Sequence, residues 1–413
     1  MFKSFKGLPD LPYAVAPMQQ AKYQGSILEL AQALIRKPSV TPNDSGCSEL
    51  VAEKLKDAGF SVEYFNKNGV TNLWAKHCKI DVGKTATAKP ANDQPLVVFS
   101  GHTDVVPPGQ NAKWETEPFV PTIKGDMIYG RGASDMKGSL AAMVVATEHF
   151  VKQYPQHKGS IGFMLTSDEE GEAIDGTQHI IRTLQSRGET VDYAIVGEPT
   201  TEKQLGDSIR IGRRGSINGK ILIQGKQGHV GYPEHLSNPI HHSSKLIHKL
   251  ATKRWDMPSR YFPSTGFQLV KVHSESGAMN VTPATLEMVF NFRYSPRNSF
   301  EKIKSYVEKK AKKYGLEASF EWEHEASPYL TKRGKLRKTV QKVIQQETQL
   351  KTRLTTAGGI SDGRYIKQLA KQVIELGPCN KTIHQANECV SINELNQLCH
   401  VYLRVLEELL IRK

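Results

Sequence analysis

Residues 96–104, with the sequence LVVFSGHTD, join a short apolar run to a histidine and an aspartate. A run of this length is typical of a buried strand. Similar runs occur at residues 161–165, 193–196 and 373–376, and polar side chains follow each of them. Because a helical pattern over residues 139–151 separates the first two runs, we predict an α/β fold with a mostly parallel sheet flanked by helices. Ligands bind such sheets at the carboxyl ends of the strands.

The middle of the chain has a different pattern. Alternating strand patterns at residues 219–224 and 286–292 are accompanied by helical patterns at residues 239–253 and 301–314. This combination predicts an α+β domain, which we place at residues 215–327.

The earlier pattern resumes after this insertion, so we expect a discontinuous catalytic domain over residues 1–214 and 328–413. A capping box of Ser26 and Glu29 precedes its first helical pattern and predicts the start of that helix. Two segments are expected to be irregular, namely an extension over residues 1–25 and an inserted loop over residues 77–95.

The composition is that of a globular protein, with 413 residues, 38% of them hydrophobic and 23% charged. The formal net charge of +13 arises from scattered lysines without interleaved aromatic residues, which favours a solvated surface or a polyanionic small substrate over nucleic acid. Five cysteines without a Cys-x-x-Cys pair predict neither disulfides nor a thiolate zinc site. With no apolar run of about 18 residues, we expect a cytoplasmic protein without a membrane partner.

The polar residues that follow the apolar runs belong to metal-binding types. His102 and Asp104 are two residues apart and therefore point to the same side of an extended backbone, where the carboxylate can orient the imidazole. Glu169 and Glu170 are adjacent and face opposite ways, so one can bind metal while the other faces a substrate. Each pair alone is more often structural, as a satisfied histidine or a solvated acidic turn.

Further candidates lie in a glycine-rich segment and after the later runs. Asp135 lies in residues 130–138, which lack the spacing of a phosphate-binding loop, and it either caps a helix or bridges two cations. The whole candidate set comprises His102, Asp135, Glu170, Glu198 and His384. Two histidines, two glutamates and a bridging aspartate are ligands that suit zinc. A pair of zinc ions in such a site can activate water and polarise a carbonyl.

Four long motifs make the chain resemble the dinuclear zinc aminoacylase and carboxypeptidase family. They are residues 100–109 (SGHTDVVPPG), 129–140, 166–171 and 195–199. The resemblance extends from about Ser26 to the C-terminus. It implies two zinc ions, with cobalt as a substitute, and these ligands: His102 and Glu198 for one ion, Glu170 and His384 for the other, and Asp135 between them.

The resemblance also implies roles beyond the metal ligands. Asp104 would orient His102, Glu169 would be the general base, and a cis peptide would follow Asp135. The inserted domain resembles the family's dimerisation or lid domain, which implies a homodimer. His229, in the motif at residues 228–233, would then reach the partner's active site and stabilise the oxyanion.

Substrate recognition is implied for a further group of residues in the second half of the chain. These are Arg213, Ser216, Tyr232, Asn280, Arg293 and Gly359. Guanidinium groups bind carboxylates in pairs of hydrogen bonds and suit a small polycarboxylate. One departure is Ile360, which stands where the desuccinylases of the family usually carry threonine.

The resemblance implies that the reaction is hydrolysis of N-succinyl-LL-2,6-diaminopimelate, in the biosynthesis of diaminopimelate and lysine. Deacetylation of acetylornithine, or a related aminoacylase or carboxypeptidase activity, is an alternative within the same chemistry. A basic nucleic-acid-binding protein with a structural zinc is a hypothesis of a different class. Carboxylate-rich ligation with Glu169 beside Glu170 is unlike a closed structural zinc site and disfavours it.

Overall fold

A computed structural model of the protein describes residues 17–78 and 94–411. The helices are α1 (Pro17–Ile35), α2 (Cys47–Asp57), α3 (Gly138–Gln153), α4 (Thr177–Ser186), α5 (Pro239–Thr252), α6 (Phe300–Lys313), α7 (Lys335–Thr348), α8 (Gly363–Ile366) and α9 (Ile392–Leu410).

The strands in the first half of the chain are β1 (Ser61–Tyr64), β2 (Asn72–Cys78), β3 (Leu96–His102), β4 (Thr122–Lys124), β5 (Met127–Tyr129), β6 (Ser160–Thr166), β7 (Val191–Val196) and β8 (Ser208–Arg210). Those in the second half are β9 (Gly212–Arg213), β10 (Gly215–Gln224), β11 (Gly228–His229), β12 (Gly266–His273), β13 (Val281–Thr282), β14 (Thr285–Tyr294), β15 (Ala318–Ala326), β16 (Tyr329–Leu330), β17 (Arg353–Thr355), β18 (Ala370–Glu375) and β19 (Cys389–Ser391).

The chain forms two compact units. The first contains the residues up to Ile211, residues 331–354 and the residues from Ser361 onward, and the second contains residues 212–330 with residues 355–360. The first unit is therefore discontinuous in sequence.

The first unit is built on a sheet with the strand order β1-β2-β6-β3-β7-β18-β8-β17. Its four central strands, β6, β3, β7 and β18, run parallel, and β2 and β8 pair with them antiparallel. These four are the apolar runs of the sequence, which confirms the α/β fold. All seven residues of β3 are buried, as expected for a strand covered on both faces.

Helices cover this sheet. α1, α3, α7 and α9 pack against one another, while α4 packs against β2, β6 and α8. α3 and α9 are buried along most of their length. A three-stranded sheet with the order β19-β5-β4 lies beside the irregular turn Ala133–Lys137, which leads into α3.

The first helix begins earlier than the sequence predicted. Residues 17–25 belong to α1. The predicted irregular extension is therefore wrong for residues 17–25, and the predicted helix start at Ser26 is wrong as well. Pro17 at the first position has a preset φ angle, and the following residues, MQQAK, are mostly good helix formers, so the helix can begin before the capping box. Residues 1–16 and most of the predicted loop, 79–93, lie outside the described residues, whereas residues 77 and 78 belong to β2.

The second unit is an antiparallel sheet with the order β12-β14-β10-β15 and the helices α5 and α6. Alternate residues of β10 and β14 are buried in a core with these helices. This alternation is the period of two that the sequence displayed. Among the described residues, no helix is long and apolar enough to cross a membrane.

Candidate active site

The candidate metal ligands meet at the carboxyl ends of the central strands. His102 is the last residue of β3, Glu170 follows β6 and Glu198 follows β7. Because these strands are parallel neighbours, their ends lie at the same edge of the sheet. His102 is 1% exposed and Glu198 is 8% exposed, so both side chains are withdrawn from solvent.

Asp135 lies between the two candidate histidines. Its Oδ1 atom is 3.2 Å from Nε2 of His102, and its Oδ2 atom is 3.4 Å from Nε2 of His384. Nε2 of His384 is also 2.9 Å from Oε1 of Glu170, and Nε2 of His102 is 3.8 Å from Oε1 of Glu198. The Asp135 carboxylate thus places one oxygen beside each histidine, and a different glutamate lies beside each histidine, which is the arrangement required of a bridging ligand.

These distances fit zinc. Ligands placed tetrahedrally at 2.0–2.1 Å from an ion are roughly 3.3–3.4 Å apart, which is close to the spacing of these nitrogen and oxygen atoms. Potential ligand atoms of His102, Asp135 and Glu170 lie within 4.8 Å of one another, as do those of His102, Glu169 and Glu198. The second group includes Glu169, so proximity alone does not show which glutamates bind metal and which one acts as a base.

The mutual contacts shift the acidities of these groups. Hydrogen bonds with Asp135 and Glu170 raise the pKa of His384 to about 10. Burial alone would lower the pKa of His102, but its hydrogen bond with Asp135 and the nearby carboxylates raise it well above the usual value. Burial alone would raise the pKa of Asp135, and the two histidines outweigh it and lower that pKa. The contacts of Asp135 with the two histidines therefore favour a negative charge on the aspartate and positive charges on the histidines.

Asp104 has a different principal contact from the one expected. Nδ1 of His102 lies 2.9 Å from the backbone oxygen of Asp104, whereas the carboxylate oxygen Oδ1 is 3.6 Å away. The carboxylate instead accepts hydrogen bonds from the backbone N–H groups of Glu169, at 3.3 Å, and Glu170, at 3.0 Å. Asp104 thus orients the imidazole through its main chain and holds the glutamate loop through its side chain.

Glu169 lies beside this cluster with a carboxyl group that resists ionisation. Burial raises its pKa well above the usual value, and the neighbouring carboxylate of Glu198 raises it further. The end of its loop is anchored at Thr177, whose hydroxyl donates to the buried Asp362 carboxylate at 2.6 Å. Burial raises the pKa of Asp362 to about 6.

The residues implied in substrate recognition lie in the second unit. Nη1 of Arg213 donates to the backbone oxygen of Gly359 at 3.3 Å. Ser216 and Arg293 are direct partners across β10 and β14. The Ser216 hydroxyl donates to Glu325 and accepts from Nδ2 of Asn291 at 3.1 Å.

A second group in this unit surrounds His229. Nδ2 of Asn280 lies 3.4 Å from Nε2 of His229, and the ring of Tyr232 is 5.5 Å from the His229 ring, centroid to centroid. Nδ1 of His229 accepts a hydrogen bond from the backbone N–H of Gly231 at 3.0 Å. Tyr232 is 59% exposed, so this group is open to solvent in the single chain.

Sequence reasoning missed several buried polar residues of the first unit. Glu388 is 1% exposed and Asp362 is 4% exposed, and neither had been singled out. The Asp135–Met136 peptide is cis, as the resemblance implied. Neither Glu388 nor Asp362 directly follows an apolar run, so spacing gave no signal for their positions.

Known proteins resemble the chain over almost its whole length. The model of peptidase family M20/M25/M40 matches residues 98–408. The curated succinyl-diaminopimelate desuccinylase of Bordetella parapertussis is 46% identical over 386 residues, which cover 94% of this chain and 98% of that protein. The protein of the same name from Acinetobacter baylyi is 45% identical over 383 residues, which cover 93% of this chain and 98% of that protein.

Solved structures share the fold at lower sequence identity. The aminopeptidase PepT of Bacillus cereus has a TM-score of 0.73 and 20% identity, covering 94% of this chain and 98% of its own. A dinuclear metal-binding peptidase of family M20 from Bacillus subtilis has a TM-score of 0.69 and 14% identity, with the same coverage of 94% and 98%.

Proposed function

The chain belongs to peptidase family M20/M25/M40, and on that premise we propose that it hydrolyses N-succinyl-LL-2,6-diaminopimelate to succinate and LL-2,6-diaminopimelate. This reaction serves the biosynthesis of diaminopimelate and lysine. The chain is a hydrolase, as its family and its relatives named as desuccinylases indicate. The observation that carries the hydrolytic chemistry is Asp135, which offers one oxygen to each histidine beside Glu169.

We assign the metal ligands on the contacts of the first unit. His102 and Glu198 would hold one zinc ion, Glu170 and His384 the other, and Asp135 both, with cobalt able to replace zinc. When bound, two zinc ions supply Lewis acidity that polarises a carbonyl group and acidifies water. We assign proton transfer to Glu169, which is not among these ligands.

Glu169 acts as the general base of the proposed reaction. Its carboxylate takes a proton from the attacking water as the new C–O bond forms, and it returns that proton to the amine nitrogen as the C–N bond breaks. Asp104 supports this role because it fixes the backbone of Glu169 and Glu170. His229 donates a hydrogen bond from Nε2 to the oxygen that gains negative charge.

The second unit contributes recognition of the substrate carboxylates. Arg213 and Arg293 supply guanidinium groups, and Ser216, Tyr232, Asn280 and Gly359 supply polar contacts. Relatives named as succinyl-diaminopimelate desuccinylases support this specificity. We place the enzyme in the cytoplasm, where its free cysteines stay reduced, and we propose no nucleic-acid or membrane partner.

The direct test is turnover of N-succinyl-LL-2,6-diaminopimelate and acetylornithine by the same zinc-loaded preparation. We expect kcat/KM to favour the succinyl substrate, and we expect chelation to abolish activity and zinc to restore it. A preference for acetylornithine would overturn the substrate, and full activity of metal-free protein would overturn the mechanism.

The proposal includes a homodimer in which His229 serves the partner's active site. Glu169→Ala and His229→Ala homodimers should each be nearly inactive. A mixed dimer then has one site that lacks both groups and one intact site, so random pairing, which makes half the dimers mixed, should restore roughly a quarter of all sites. Mixed dimers verified by tags that show no gain over either parent would refute catalysis across the interface.

A further inference from the structure

Glu388 is a buried carboxylate that accepts four hydrogen bonds from the segment carrying Asp135. Its Oε1 atom accepts from the backbone N–H groups of Ser134, at 2.9 Å, and Asp135, at 3.0 Å. Its Oε2 atom accepts from Nη1 of Arg131, at 2.7 Å, and from the backbone N–H of Gly132, at 2.9 Å. All four donors lie within residues 131–135, so a single side chain fixes the main chain on which Asp135 stands.

Arg131 extends this contact to the other parts of the site. Its Nη1 atom also donates to the backbone oxygen of Gln385 at 3.1 Å, and its Nη2 atom donates to the backbone oxygen of Pro107 at 3.4 Å. Gln385 directly follows His384, and Pro107 lies shortly after His102 and Asp104 on the same segment. The Glu388–Arg131 pair therefore connects the three segments that carry both histidines and the bridging aspartate.

The backbone of Glu388 is held independently of its side chain. Its carbonyl oxygen accepts from the N–H of Gly130 at 2.9 Å, and β19, which begins at the next residue, pairs with β5. The carboxylate thus projects from a fixed strand end into the loop. Burying a carboxylate costs free energy unless hydrogen bonds to its oxygens replace those it made with water. Here four donors supply these hydrogen bonds.

We propose that Glu388 is a positioning residue for the metal centre: it holds the Asp135 backbone so that one carboxylate oxygen lies beside His102 and the other beside His384, as a ligand shared by two ions would require. This inference rests on the proposed two-metal function. Glu388 is not one of the assigned ligands and would act through Asp135, and through Arg131 on the loop of His384. Outer groups that orient metal ligands commonly change metal affinity or activity by 10–100-fold when they are replaced.

Glu388→Gln is the informative substitution. Each carboxylate oxygen accepts two hydrogen bonds, so either orientation of the glutamine amide places its NH2 group against two donors. The volume of the side chain is nearly unchanged. The substitution removes the negative charge and leaves one side-chain oxygen in place of two as a hydrogen-bond acceptor. Glu407→Gln is the matched control. Glu407 lies in the last turns of α9, is also a buried carboxylate, with 6% exposure, and accepts hydrogen bonds from Tyr154 and Arg404.

The measurement is titration of metal-free protein with Co²⁺, followed by its visible absorption spectrum and by equilibrium dialysis. We expect Glu388→Gln to weaken Co²⁺ binding roughly 10–100-fold and to change the spectrum, and Glu407→Gln to leave both unchanged. In a double-mutant cycle, Glu388→Gln should weaken binding much less in an Asp135→Asn background, because the two residues act through one ligand. These readouts need no substrate, so failure of the proposed reaction is a separate result.

Wild-type affinity and spectrum in Glu388→Gln, together with a lower free energy of unfolding, would mean that Glu388 only stabilises the fold and would overturn the proposal. Additive effects in the double-mutant cycle would overturn it too. If Glu388→Gln does not fold, Glu388→Asp takes its place, because it keeps the charge and withdraws the carboxylate by one methylene. We then expect a folded protein with weaker Co²⁺ binding, and unchanged binding would again contradict the proposal.

Discussion

Replacing Asp104 with asparagine separates two contacts of this residue. The carboxylate accepts from the backbone N–H groups of Glu169 and Glu170, while the backbone oxygen contacts Nδ1 of His102. Asparagine keeps the main chain and the shape of the side chain, but its NH2 group cannot accept a hydrogen bond. The substitution should therefore disturb the loop of the two glutamates and leave the orientation of His102 intact.

The expected magnitudes follow from the bonds lost. A hydrogen bond to a charged group contributes about 1.5–3 kcal/mol, so the loss of one at this buried position should lower the free energy of unfolding by roughly that amount. Displacement of Glu169 should lower kcat by roughly 10–100-fold, with zinc still bound through His102. Urea unfolding, steady-state kinetics and measured zinc content test the three expectations on the same preparation.

Asp256→Asn provides the matched control, because Asp256 accepts from the backbone N–H of Thr265 at 2.7 Å and from the hydroxyls of Thr265 and Ser295 in the second unit. It should lower stability by a similar amount and leave kcat unchanged. If Asp104→Asn retained wild-type kcat and stability, the carboxylate would not be holding the loop. If it lost zinc while the zinc-loaded fraction kept normal kcat, the carboxylate would instead be acting on His102.

Three further predictions concern the base, the acidity of a buried carboxyl and the packing behind Glu198. Glu169→Gln should retain zinc and lose roughly 100-fold to 10,000-fold in kcat, and a near wild-type kcat would assign the proton transfer to another group. Burial raises the pKa of Glu394 to about 7, so its contribution to stability is present below its ordinary value of 4.5 and is lost as the pH rises to about 7. The wild type should therefore lose up to roughly 3 kcal/mol relative to Glu394→Gln between those pH values, and parallel pH profiles of urea unfolding would contradict this. A Cβ at Gly377 would lie 2.4 Å from the backbone oxygens of Gly197 and Glu198, so Gly377→Ala should cost about 1–3 kcal/mol and weaken zinc binding, whereas Gly266→Ala, with open space around it, should do neither. Wild-type zinc affinity in Gly377→Ala would show that the main chain beside Glu198 tolerates the displacement.

The sequence predicted the central sheet because its signal is local. Four apolar runs of strand length became the four parallel strands, and polar residues directly after them lie at one edge. The meeting of His102, Asp135 and His384 agrees with the resemblance, while the roles assigned to these residues remain predictions. The capping signal at Ser26 predicted a later start of α1 than the observed one at Pro17, because it outweighed the helix propensity of the preceding residues in our interpretation.

The sequence did not predict contacts that depend on distance in the folded chain. Asp104 and His102 were expected to point to the same side because they are two positions apart, and Oδ1 of Asp104 lies 3.6 Å from Nδ1 of His102. The hydrogen bonds of the Asp104 carboxylate to a loop more than 60 positions away were not predicted. Glu388 and the segment at Arg131 are separated by about 250 positions, and no periodicity connects them. Such pairs are determined by tertiary packing, which a single sequence does not display.

The discontinuity of the first unit has a consequence for the protein while it is being synthesised on the ribosome. β7 emerges before β18, its neighbour in the sheet, and α9, which packs against α1 and α3, emerges last. At about 5–20 residues per second, the nascent chain spends on the order of ten seconds with the edge of β7 unpaired and an apolar face of α3 uncovered. His384 and Glu388 also arrive in this final stretch, so the proposed metal site is incomplete until this part of the chain has been synthesised.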